Sequence, residues 1–171
     1  MPDTSPDFVS LGGRILAATP ELLDPNFNQT LVWLAEHSGD GALGFILNRP
    51  LEKTLGDVAG GPGLTPALRN VPLGFGGPVH PDQLALVVYV QEGGRWRCRW
   101  GLPPEQLEAH QADPACHVRA YLGYAGWGEG QLEGELRDGA WKVGDPDPAL
   151  LDPRLCRGMW PLVIRGDTRW K

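Results

Sequence analysis

The hydrophobic positions of this chain fall in short blocks rather than long periodic stretches. Apolar-rich runs cover residues 14–18, 31–35, 42–47, 71–75, 84–90, 96–100, 117–122 and 140–143. Runs of this length, bounded by Gly, Pro, Asn or Asp, read as strands. Runs 31–35 and 42–47 flank Ser38-Gly39-Asp40-Gly41, a Gly/Asp turn that predicts a hairpin. Neither run alternates polar with apolar, so both faces of these strands are expected to be covered. Run 84–90 reads as a central strand, and Gln91-Glu92-Gly93-Gly94 turns the chain back into 96–100 as a second hairpin. Helical signals are sparse. Residues 54–58 read as a single turn, and 103–111 as a short helix with Pro103 and Pro104 at its start, where a missing N–H is tolerated. Residues 128–137 carry Leu132 and Leu136 at helical spacing and stop at Asp138-Gly139. Residues 20–28 and 60–63 read as irregular, and 147–159 as at most short helix, broken by Pro148 and Pro153. The pattern predicts an α+β fold: a largely antiparallel or mixed sheet of about six to eight strands with a few short helices.

Composition narrows this picture. With 171 residues, the chain suits a flexible leader over 1–12 and a single domain over 13–171. The 24 glycines and 17 prolines fit many short elements. The formal charge is −6, and its distribution matters more than its sum. Residues 1–60 carry 8 acids and 3 bases, residues 61–102 carry 2 and 4, and residues 103–171 carry 11 and 8. No block concentrates positive charge as non-specific phosphate binding requires, so nucleic acid is not an expected partner. Cys98, Cys116 and Cys156 are odd in number and include no CxxC pair, which fits a reducing compartment better than a disulfide scaffold or structural zinc. No basic-then-apolar leader is visible, and the longest apolar run is far shorter than the ~20 residues of a membrane span. A cytoplasmic location without membrane association is the expectation.

Several motifs carry possible chemistry. Gly126, Gly128 and Gly130 lead into the 128–137 helix, which suggests a phosphate cradle. Glu129 and Glu133 stand where they would repel a phosphate, so a tight turn anchored by Trp127 is the competing reading. Gly76-Gly77-Pro78-Val79 either presents main-chain amides to a ligand or reverses the chain. Glu36-His37 and His80, with Asp24, Asp82 or Asn48, are candidates for an acid–base or metal site, although no HxxxH spacing occurs. None of the serines Ser5, Ser10 and Ser38 lies in GxSxG. Cys98 stands between Arg97 and Arg99, but strand alternation puts both arginines on the opposite face, away from the thiol. The interleaved residues 95–100 read either as a base-stacking strip or as a strand with two half-buried tryptophans and a solvated arginine face.

Four segments in order resemble the YqgE/AlgH family: Gly13-Arg14-Ile15-Leu16-Ala17-Ala18-Thr19-Pro20 with Leu23-Asp24-Pro25-Asn26-Phe27; Glu36-His37 with residues 41–51; Gly76-Gly77-Pro78-Val79; and residues 123–133 followed by Trp141. The resemblance implies an α+β fold whose bent, bifurcated sheet forms a pseudo-barrel. It also implies a bacterial, cytoplasmic protein, some of whose relatives carry a transcriptional-regulator label. It supplies no reaction, cofactor or metal, and no catalytic residue to carry over. This chain departs from the family's fuller closing helix, since Pro148, Pro153 and Pro161 interrupt that segment. The expectation is a non-enzymatic binding or regulatory protein with an unidentified protein or small-molecule partner. Its recognition surface would comprise Asp24, Asn26, Glu36, His37, Asn48, Arg49, Gly76, Gly77, Trp127, Glu129 and Gln131, because these polar and glycine residues fall at element ends. The alternative is a small-molecule or hydrolytic enzyme in which Glu36, His37, Asn48 and Glu129 converge.

Overall fold

The computed structural model describes residues 8–59 and 64–165, so the start of the leader, the loop read at 60–63 and the last six residues lie outside it. Short β1 (Ile15–Ala18) leads through an irregular turn to the hairpin β2 (Leu31–Ser38) and β3 (Gly41–Ile46). Then come β4 (Pro50–Thr54), the single turns α1 (Leu55–Val58) and α2 (Pro66–Arg69), and β5 (Pro72–Phe75). The second hairpin is β6 (Val79–Glu92) and β7 (Arg95–Trp100). After α3 (Pro104–Gln111) come the long β8 (Cys116–Trp127), α4 (Gln131–Arg137) and β9 (Trp141–Gly144). Two 3-10 turns, Pro148–Leu151 and Cys156–Gly158, and the short α5 (Met159–Ile164) close the chain, which is the proline-interrupted ending the sequence predicts.

All nine strands belong to one mixed sheet, β4-β5-β8-β3-β2-β1-β9, with β6 and β7 branching from β8. One edge of β8 serves two strands in turn: Leu73–Phe75 of β5 run parallel to 120–122, and Ala42–Gly44 of β3 run antiparallel to 125–127. Its other edge pairs with β6. The sheet curls into a half-barrel around this branch. Trp33, Phe45, Val87, Tyr89 and Tyr121 fill the inside, and Leu150, Leu151 and Val163 of the C-terminal segment cover it. Outside, Val32, Leu34, Ile46 and Trp127 pack with Leu132 of α4 and Trp141 of β9. The other outer half, with Leu73, Leu86, Val88 and Val118, lies under Leu55, Leu68 and Leu107 of the three preceding helices. β2 and β3 thus bury side chains on both faces, as their non-alternating sequence predicts.

Two strand readings change. β4 is a ninth strand that the sequence does not announce, because Leu51-Glu52-Lys53 is exposed and the strand pairs with β5 alone. β8 runs on past Leu122 to Trp127, through glycines that look like a loop in the sequence. Glycine is needed there for close approach. A Cβ at Gly76 would strike the Gly123 carbonyl oxygen, and one at Gly77, where φ is +154°, would strike the Tyr124 backbone.

Candidate functional site

The polar atoms of the signature segments have different uses. In the first, the Asp24 carboxylate accepts from the Asn26 N–H (2.7 Å), forming a local turn. The Arg49 guanidinium donates from Nη1 to the Asn26 carbonyl (2.8 Å) and from Nη2 to the Asn28 carbonyl (3.2 Å), and its partial burial lowers its pKa. The Asn48 amide accepts from the Leu31 N–H (2.9 Å) and donates to the Gln29 carbonyl (2.8 Å). Asp24, Asn48 and Arg49 therefore hold a turn together. This turn seats Phe27, whose ring stacks on Trp127 (6.1 Å between centroids) and meets Trp141 edge-on (5.8 Å). The Gly76 N–H donates to the Leu122 carbonyl and the Gly76 carbonyl accepts from the Ile46 N–H, so its main-chain groups are used within the fold.

Trp127 ends β8, and its indole N–H donates to Glu135 Oε1 (2.9 Å), as does that of Trp141 (2.8 Å). The Gln131 amide donates to Glu135 Oε2 (3.1 Å) while its oxygen accepts from the Gly128 N–H (3.0 Å). One carboxylate thus ties α4 to two strands. Glu135 was not among the candidates, although it stands four residues after Gln131, on the same helix face, near two tryptophans that need an acceptor. Gly130 caps the helix in the left-handed region, and Glu129 is exposed in the turn before it.

The second segment is placed differently. A bulge between Leu34 and Glu36 inserts one residue into β2, after which Glu36 pairs with Leu43 and His37 with Ala42, itself opposite Trp127. Glu36 and His37 are adjacent in the chain but take different partners. Glu36 Oε2 accepts from the Trp100 indole N–H (2.7 Å). The His37 side chain is 2% exposed, and its Nδ1 accepts from the Leu11 N–H (2.8 Å), which assigns the neutral ring's proton to Nε2. Nε2 lies 3.5 Å from Glu133 Oε2 without a hydrogen bond, and both Nε2 and Glu133 Oε1 are buried without a partner. Asn48 lies six residues along the chain from Ala42, about 20 Å at strand rise. Asn48 is therefore remote from Glu36 and His37, which removes it from the convergent set that the enzymatic alternative requires.

What the second and fourth segments form together is an open cleft of about 350 Å³ at the tip of the β2–β3 hairpin, lined by Glu36, His37, Ser38, Asp40, Leu43 and Trp127 among others. Its charged lining is Glu36 and Asp40. Among the described residues no group of three or more His, Cys, Asp and Glu is placed to hold a metal ion. Cys98 packs into the barrel interior while Arg97 and Arg99 reach Glu92 outside, as alternation predicts. Burial, reinforced by the Glu36 charge, pushes the Cys98 thiol far up, so a nucleophilic thiolate is disfavoured there.

A curled nine-stranded mixed sheet with short outer helices defines the molecule as an α+β half-barrel protein. The AlgH-like family model matches residues 15–166, and the chain belongs to that family. It is 38% identical to the UPF0301 protein SCO2948 of Streptomyces coelicolor over 91% of this chain and 86% of the relative. It is 34% identical to the UPF0301 protein CT0663 of Chlorobaculum tepidum, covering 90% and 84%. The solution structure of AlgH from Pseudomonas aeruginosa superimposes with a TM-score of 0.63 at 32% identity, covering 93% of this chain and 91% of that one. The crystal structure of DIP2367 from Corynebacterium diphtheriae gives 0.67 at 23% identity, covering 90% and 85%, a likeness of fold. No helix among the described residues is long and apolar enough to cross a membrane.

Proposed function

We propose that this is a non-catalytic, regulatory binding protein that engages a cationic segment of a partner protein in the cleft at the β2–β3 tip. The observation that carries the reading is how the signature polar groups are spent. Asp24, Asn48 and Arg49 hydrogen-bond to the backbone and Gln131 to the α4 junction, while Glu36 and Asp40 line one open cleft together with His37 and Trp127. Two carboxylates on an open cleft suit a Lys or Arg side chain, which gains charge pairing. The Glu36 carboxylate is already oriented by Trp100, which reduces the ordering cost of binding. A regulatory role of this kind works through another protein and needs no contact with DNA. Calorimetric titration with a short Lys- and Arg-rich peptide tests it. Saturable binding that weakens with salt and drops at least several-fold in the E36Q/D40N double variant is expected. Binding that ignores both salt and the double variant contradicts the reading.

A further inference from the structure

A second hollow lies at the other end of β8, ten residues from Trp127 and so about 30 Å away at strand rise. It is an open hollow of about 520 Å³, a size in the range of small-molecule sites. Its wall is built on Arg119, which is half-buried. The guanidinium donates from Nε to the Leu151 carbonyl (2.8 Å) and from Nη1 to the Val118 carbonyl (2.7 Å). Two main-chain acceptors thus fix its plane, and among the described residues Nη2 makes no hydrogen bond. His117 stands two residues away on the same face of β8, its ring 5.7 Å from that of Trp96. Burial, then the nearby Arg119 charge, lowers its pKa, as expected of an imidazole in a cationic setting.

The rim comes from the C-terminal segment. Arg154 is 88% exposed and pairs with Asp152 Oδ2 (3.1 Å), while Asp152 Oδ1 accepts from the Arg154 N–H (2.8 Å). Arg154 Nε also donates to Asp152 Oδ1 (3.3 Å), so the pair is two-pronged, and an incoming anion must compete with the Asp152 carboxylate for the exposed guanidinium. Pro148 and Leu155 add apolar surface, and Leu155 is 53% exposed. A preorganised guanidinium, an exposed second one and an apolar lip form an anion site with room for a non-polar body.

We infer that this hollow binds a small molecule with an oxyanion head, a phosphate ester or carboxylate, and an apolar body. Arg119 Nη2 meets the head, Arg154 swings from Asp152 onto it, and the body lies against Pro148 and Leu155.

The test is an NMR titration of the full chain with two probes, inorganic phosphate and phenyl phosphate, following backbone amides and arginine Nε–Hε signals. Saturable shifts at Arg119, Arg154 and Leu155 are expected, with phenyl phosphate the tighter probe because only it uses the apolar lip. Two variants separate charge from folding. D152N keeps the oxygen that caps the Arg154 N–H while removing the competing charge, so binding tightens several-fold. R154A weakens it several-fold. R154A should melt within about 2 °C of the parent because its side chain is exposed, and D152N, which keeps the oxygen that accepts from the Arg154 N–H, is checked by the same melt. The inference is overturned if phenyl phosphate at about 10 mM gives no saturable shift. It is also overturned if D152N and R154A bind alike, or if the shifts fall at residues 36–43.

Discussion

Asn48 and Glu129 look alike in the sequence, two polar residues at element ends beside glycine or proline, and the fold gives them opposite weights. Asn48 reaches Gln29 and Leu31, neighbours that only the closed sheet supplies, whereas Glu129 stands in solvent. N48A leaves a main-chain donor and an acceptor unpaired at the start of β2. It is expected to cost about 1–3 kcal/mol, lowering the melting temperature by roughly 2–10 °C. E129A should stay within about 0.5 kcal/mol. Thermal melts of the two variants check the contrast. Titration gives a second residue-scale prediction. Burial raises the pKa of Cys98, Cys116 and Cys156 above their ordinary 9.0, and those of the hydrogen-bonded Tyr89 and Tyr121 above 10.0. Above those ordinary values the unfolded chain releases protons that the folded chain retains. The stability these groups contribute is thus complete below pH 9 and declines as pH rises through 9 to 10 and beyond. Urea midpoints across pH 8 to 11 should fall, and a Y89F/Y121F double variant should lose only the part of the decline above pH 10. At this scale the alternation that turns Cys98 away from its flanking arginines was legible, because it depends on local geometry alone. The acceptor on Glu135 was not, because it depends on where Trp127 and Trp141 meet.

Among the elements, the strands with apolar runs were readable and the polar edge was not. β4 carries Glu52, Lys53 and Thr54 and pairs on one side only, so burial leaves no mark on its sequence. The end of β8 was read as a turn because Gly123 and Gly126 remove the alternating pattern that identifies a strand. Gly123 is small because the Gly77 carbonyl and Val79 and Pro81 of β6 press against it, whereas Gly126 has only ordinary contacts. G77A should therefore destabilise the join between β8 and the loop by more than the ~1 kcal/mol of ordinary propensity effects, visible as early hydrogen exchange at residues 76–79 and 122–126. Helix α4 depends on a different join. E135A removes the acceptor of two largely buried indole N–H groups and should cost about 2–4 kcal/mol, with a changed tryptophan emission. E135Q keeps an oxygen and should cost less. If E135A and E135Q behave alike, the carboxylate does not hold the helix.

At the scale of the whole molecule, the formal charge of −6 conceals a polarity along β8. Glu36, Asp40, Glu129 and Glu133 gather near its Trp127 end, while His117, Arg119 and Arg154 lie at its other end. Block averages of charge could not show two small fields at opposite ends of one strand. The fold class was legible because nearly every strand is an apolar run, and the family because four separate segments keep their order. The candidate surface was legible only as a set of chain positions. The fold uses Asp24, Asn48, Arg49 and Gly76 for its own closure, while Glu36, His37 and Trp127, each with a partner of its own, line the cleft. The most direct test of that division is an NMR map of the full chain titrated with the Lys- and Arg-rich peptide at low salt. The account predicts shifts confined to residues 36–43 and 126–133 that vanish in the E36Q/D40N variant. Shifts centred instead on residues 24–28 and 48–49, or none at millimolar peptide, would contradict it.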